Sequence, residues 1–168
     1  MLDRAGWTYA LVVIVLTIAI HTTGLVSIGL IRPRVRSLLL KKDPTTWRWG
    51  VFLTCHIAAA GLALVVLHAV ESALWAVAYL RAGAVDSISD ALLYSLSAMT
   101  GSGTSVALAY RWQMMAALEA LNGIILFGMS TALIVGIIQN YWTQFPGDHA
   151  GATDAGGEHS KPAARQQP

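Results

Sequence analysis

Apolar residues dominate three stretches long enough to cross a bilayer: residues 7–31, 49–80 and 112–142. A spanning helix needs about 20 predominantly apolar residues, because the hydrocarbon core is about 30 Å thick. The second and third stretches exceed that minimum, which predicts tilt or protrusion into the headgroups. A fourth apolar stretch, residues 88–100, is different. As a helix it would be roughly 20 Å long at 1.5 Å per residue, too short to span. Ser87 or Ser89 can cap its start, and Asp90 falls in its first turn, where a negative charge suits the helix dipole. It then meets Thr100, Gly101, Ser102, Gly103, Thr104 and Ser105, a run of poor helix propensity. Lipid cannot satisfy irregular backbone, so such a run at membrane depth must be buried in protein or line water. The pattern predicts an all-α membrane protein with three transmembrane helices and one re-entrant half-helix. Trp7, Tyr9, Trp47, Trp49, Trp75, Tyr79, Trp112, Tyr141 and Trp142 fall near the predicted helix ends, as an aromatic belt should. No internal repeat is visible.

Composition agrees with that pattern. Only 12% of the 168 residues are charged and 55% are hydrophobic, with a mean hydropathy of +0.57; soluble domains carry about 25% charged residues. The net charge of +2 matters less than where the charges lie. Six of the eleven Lys and Arg residues (Arg32, Arg34, Arg36, Lys41, Lys42 and Arg48) sit between the first two apolar stretches. The positive-inside rule puts that linker in the cytoplasm, the N-terminus outside and the C-terminus inside. Anionic headgroups are natural partners for Arg32, Arg34, Arg36, Lys41 and Lys42. The start, with Asp3 beside Arg4, lacks the net positive charge of a signal peptide, and its apolar run is long, so a retained helix is expected. The lone Cys55 rules out an intrachain disulfide and is expected to pack in an apolar helix. Residues 143–168, rich in Gly, Ala, Pro and polar side chains, read as a disordered cytoplasmic tail. Three segments result: 1–48, a helix and basic linker; 49–142, the main membrane module; and 143–168, the tail.

The module itself has a recognisable physical plan: helix, half-helix, Gly/Ser/Thr turn, helix. A half-helix aimed at the bilayer centre carries its negative dipole end there, where it stabilises a cation. The backbone beyond it can turn carbonyl oxygens inward to replace a hydration shell, and glycines permit the angles this requires. One chain cannot enclose such a pathway, whereas four around an axis can, which implies a homotetramer. Residues 71–142 resemble the two-helix pore module of the tetrameric potassium channel superfamily. Asp90 to Thr100 (DALLYSLSAMT) resembles its pore helix, and Gly101-Ser102-Gly103-Thr104-Ser105 occupies the place of its Thr-Val-Gly-Tyr-Gly filter. Residues 123–132 (GIILFGMSTA) are similar to its inner helix. The run 118–123 (LEALNG) is similar to small bacterial members with an extra N-terminal helix, here residues 7–31. The resemblance implies a passive cation channel with a monovalent cation in its pore. It implies an ion pathway along Thr100, Gly101, Ser102, Gly103, Thr104 and Ser105, and pore-lining or hinge roles for Gly123, Ile124, Phe127, Gly128, Thr131 and Val135. The filter departs from the family. Aligned from the pore helix, Gly103 is the first filter glycine, and Thr104, Ser105 and Val106 replace Tyr, Gly and Asp. Aligned from the inner helix, Gly101-Ser102-Gly103 stands for Gly-Tyr-Gly. Neither register restores the potassium signature, which leaves a weakly selective, a remodelled or a closed filter open.

Ionisable residues within membrane helices mark function by default; here they are His21, His56, His68, Glu71 and Glu119. His68 and Glu71 share a helix face at i, i+3. They suit a structural hydrogen bond to Ser97 or Tyr94 behind the pore, a metal site, or a haem clamped by two histidines. His56 and His68, about three turns apart, suit two depths rather than one. The alternatives to a channel are thus a haem- or metal-binding redox protein and a non-conducting accessory subunit with a pore-like fold. No phosphate loop, catalytic triad or zinc-ligand motif appears in the sequence, and neither enzymatic activity nor a nucleic-acid partner is expected.

Overall fold

A computed structural model describes residues 4–39, 46–103 and 106–142. Among them all regular structure is helical: α1 (Arg4–Leu39), α2 (Thr46–Arg81), α3 (Ile88–Thr100) and α4 (Gln113–Trp142), the last preceded by a 3-10 turn at Tyr110–Trp112. Three helices are long and apolar enough to cross a membrane, over Gly6–Leu30, Gly50–Arg81 and Tyr110–Asn140. The described residues thus make up three such helices and one short one, and the protein is a multi-pass membrane protein. Much of its apolar surface faces outward, as at Leu11, Val15, Leu30, Leu62, Val65 and Val66. Lipid rather than water suits a surface of that kind.

α1 is longer than the apolar pattern predicts, because it continues through the basic stretch and through Pro33 to Leu39. Helices do not need an apolar face where the backbone is already hydrogen-bonded, and Arg, Val, Ser and Leu all tolerate the conformation. The side chains of Arg32, Arg34 and Arg36 lie outside the described residues, as do Lys41, Lys42, Thr104, Ser105 and the tail 143–168.

α1, α2 and α4 pack against one another, and α3 lies against α2 and α4. Two apolar clusters occupy opposite ends of the bundle. One joins Ala10 and Val13 of α1, Trp75, Ala78 and Tyr79 of α2, Met99 of α3, and Trp112, Met115 and Leu126. The other joins Phe52 and Ala60 of α2 to Ile137 of α4. This corrects the aromatic belt. Trp75 and Tyr79 are fully buried and Trp112 nearly so, because the face of α2 that carries Trp75 and Tyr79 is the one covered by α3 and α4. Cys55 differs from expectation in the opposite sense, since it is exposed on the outer side of α2 and does not pack in the core.

α3 is bounded as its sequence predicts. Ser87 is the N-cap, accepting from the Asp90 amide at 3.5 Å. Gly101 ends the helix with φ 68°, and the Gly101 and Ser102 amides return to the carbonyls of Ala98 (3.2 Å) and Ser97 (3.0 Å). A left-handed residue at this position is the usual way to satisfy last-turn carbonyls, and glycine takes it without a Cβ clash. Ala91, Ser95, Ser97 and Met99 form the buried face of α3, while Leu92, Leu93 and Leu96 are exposed.

Candidate functional site

Met99 is the point at which α3 reaches α4. It packs on Gly123, where an added Cβ would lie 2.9 Å from Met99 Cγ and 3.0 Å from Met99 Cα. Gly123 is buried and near the middle of the 31-residue apolar span of α4. The C-terminal end of α3 therefore lies beside the middle of α4, and Gly123 serves close helix packing there. α4 runs unbroken through both Gly123 and Gly128.

Beyond Met99 the chain is exposed at Thr100, Gly101, Ser102 and Gly103. Gly103 also has a left-handed φ, 76°. Thr100 Oγ1 donates to Leu96 O at 2.7 Å and lies 3.0 Å from Ser102 Oγ. A depression beside this turn is lined by Tyr94, Ser97, Gly101, Gly103, Ala117 and Ala120. On α4, Ile124, Phe127, Gly128, Thr131 and Val135 are all exposed. Their spacing of three or four places them on one face. Thr131 Oγ1 donates to Phe127 O at 2.9 Å, so its hydroxyl is already used by its own helix.

The intramembrane polar residues divide into two buried groups. In the first, Glu71 lies between two histidines. His21 Nδ1 is 2.8 Å from Glu71 Oε1, and His68 Nδ1 is 3.1 Å from Glu71 Oε2. The opposite edges of both rings face Ser130, whose Oγ is 3.2 Å from His21 Nε2 and 3.1 Å from His68 Nε2. The ring centroids are 5.2 Å apart, and Phe127 stacks on His68 at 4.3 Å. His21 and Glu71 are fully buried, and the His68 side chain is 12% exposed. The group ties α1, α2 and α4 together between the two apolar clusters. His56 does not join it; its ring stacks on Phe52 at 6.0 Å, at the other end of α2.

The second group holds α3 in place. Glu119 of α4 accepts from Tyr79 Oη at 2.6 Å and lies 2.5 Å from Ser95 Oγ. Ser95 also reaches back to α2, at 2.8 Å from Ser72 O and 3.0 Å from Ser72 Oγ. Close by, Asn122 Nδ2 donates to Thr17 Oγ1 of α1 at 2.9 Å. The expected partners Ser97 and Tyr94 are thus replaced: Glu71 pairs with His21 and His68, and it is Glu119 that meets α3, through Ser95.

Sequence reasoning missed Thr17, Ser72, Tyr79, Ser95, Asn122 and Ser130. The signal was periodic. Thr17 and His21 on α1, and Glu119, Asn122, Leu126 and Ser130 on α4, recur every three or four residues and mark the buried face of each helix. No protein-family model, curated protein or solved structure matches the chain, so its function is argued from this geometry and from the sequence.

Proposed function

We propose that the chain is one subunit of a homotetrameric pore that passes monovalent cations passively across a bacterial inner membrane. The observation that carries this reading is the exposed, irregular backbone at Gly101, Ser102 and Gly103, beside the middle of α4. Non-helical backbone at membrane depth is tolerated only against protein or water. Four copies around an axis supply both, with α3 as a re-entrant half-helix in each. The last-turn carbonyls of α3 at Leu96, Ser97 and Ala98 are already engaged by Thr100, Ser102 and Gly101. Cation ligands would therefore come from the turn itself, helped by the negative pole of the α3 dipole.

The exposed face of α4 supports the same reading. Ile124, Phe127, Gly128, Thr131 and Val135 would line the pathway below the turn. Leu92, Leu93 and Leu96 of α3 would meet a neighbouring subunit or lipid. Because the turn lacks the potassium signature, the reading commits to a monovalent cation and not to potassium. The basic residues Arg32, Arg34, Arg36, Lys41 and Lys42 would lie on the cytoplasmic side beside anionic headgroups, with the N-terminus outside and the C-terminus inside.

Water accessibility tests this directly. In a Cys55→Ser background, Thr131→Cys and Ile124→Cys should react with a membrane-impermeant, water-soluble thiol reagent. Leu62→Cys, on the apolar outer surface of α2, should not. Equal protection at all three positions would remove the pore-lining assignment.

A further inference from the structure

The Glu71 group has a metal-type donor set and, with both histidines neutral, a bonding deficit that hydrogen bonds alone do not resolve. One ligand atom from each of His21, His68 and Glu71 lies within 4.8 Å of the other two. Zinc-class ions hold N and O donors at about 2.0–2.2 Å, so donors sharing one ion lie roughly 3.3 Å apart. The two Nδ1–carboxylate separations, 2.8 Å to Oε1 and 3.1 Å to Oε2, lie a little below that value. His68 Nδ1 and Glu71 Oε2 face each other without the alignment of a hydrogen bond, and both are buried atoms with no hydrogen-bond partner. A fully buried carboxylate oxygen left in that condition is expensive.

The far edges of the rings show the same shortage. Both Nε2 atoms face the single hydroxyl of Ser130. With both histidines neutral and both Nδ1–H groups pointing at Glu71, both Nε2 atoms are acceptors, and one hydroxyl proton can serve only one of them. An ion bound at the Nδ1 edge reverses the roles. Both Nε2 atoms then carry protons and donate to Ser130 Oγ, whose two lone pairs accept them. A ligating histidine ordinarily donates its other N–H to an oxygen in this way, which fixes tautomer and ring orientation.

We propose that His21, His68 and Glu71 form a site for a divalent transition-metal ion of the zinc class, bound through both Nδ1 atoms and the Glu71 carboxylate, with Ser130 orienting the two rings. Imidazole and carboxylate are ordinary ligands for such ions. Three protein donors leave a coordination position for water. Of the three ligands only His68 is partly exposed, at 12% of its side chain, with the Phe127 ring against it. Bound metal would clamp α1 to α2 at mid-bundle, with α4 joined through Ser130. The proposal stands whether or not the chain conducts ions.

The test uses the full chain in detergent, stripped with a chelator and carrying His149→Ala and His159→Ala so that the tail histidines cannot contribute. Zinc titrated by calorimetry should bind one ion per chain, and added cobalt(II) should give the visible bands of a low-coordinate N/O site. His68→Ala and Glu71→Gln should each weaken zinc binding by at least tenfold, and Ser130→Ala by about 10–100-fold, the range for outer-shell partners. His56→Ala should leave it unchanged. Cobalt bands need no substitution at the site, so they decide the matter even where a variant misfolds. No stoichiometric zinc and no cobalt bands in the chain with the tail histidines removed would overturn the proposal, as would zinc binding indifferent to His68→Ala and Glu71→Gln in folded protein.

Discussion

Replacing Gly123 with alanine sets two effects of opposite sign against each other. Alanine is favoured over glycine in a helix interior by about 0.8–1.0 kcal/mol, so an open site would gain stability. At Gly123 the new methyl would meet the Met99 carbonyl oxygen first, and would lie 2.9 Å from Met99 Cγ and 3.0 Å from Met99 Cα. The side chain of Met99 can swing away, but its Cα can move only with the end of α3. Overpacking that shifts backbone costs about 1–3 kcal/mol, so the net expectation is a loss of about 1 kcal/mol with the end of α3 displaced. Gly128 provides the contrast, because nothing lies within 4 Å of a Cβ added there. Gly128→Ala should be neutral or stabilising by up to about 1 kcal/mol. Equilibrium unfolding in mixed micelles, monitored by circular dichroism, measures both. A Gly123→Ala variant stabilised as much as Gly128→Ala would refute the reasoning, because α3 could not then end against α4 at that point.

Other outcomes follow from the group around Glu119. Glu119→Ala strips the partner from Tyr79 Oη, while Ser95 Oγ keeps Ser72, so at about 1–3 kcal/mol for one unsatisfied buried group it should destabilise by about 1–3 kcal/mol in the same unfolding assay. Glu119→Gln retains an acceptor and should lose less than half of that. Tyr79→Phe removes one donor and keeps the ring packing, so its loss should fall near about 1 kcal/mol. Gly103→Ala forces a Cβ into left-handed backbone, at about 1–2 kcal/mol. Its effect should be confined to the turn, seen as faster amide exchange at residues 100–103 with α1 and α2 unchanged.

The elements were far more legible in the sequence than their mutual arrangement. Apolar length alone marks the three long helices, and the Ser87 cap and Gly101 stop bound α3 because capping chemistry is local. The continuation of α1 to Leu39 was hidden, since a charged helical segment carries no apolar signal to extend the pattern. Periodicity marks which face of α4 is buried, but not which helix covers it or at what depth. The pairing of His21 with Glu71, fifty positions apart, depends on how two helices slide past each other. The same freedom sent Trp75 and Tyr79 from an expected belt to the core. It also put Glu119 rather than Glu71 against α3, two carboxylates that look alike in one dimension.

Ion flux through liposomes carrying the purified chain tests the proposed pore most directly. The reading predicts passive flux of potassium, sodium or another monovalent cation, driven by its gradient alone, from protein shown by mass measurement to be tetrameric. That flux should be altered by Gly103→Ala. Verified tetramers that pass none of these ions would contradict it and would favour a subunit that keeps the architecture of a pore without conducting.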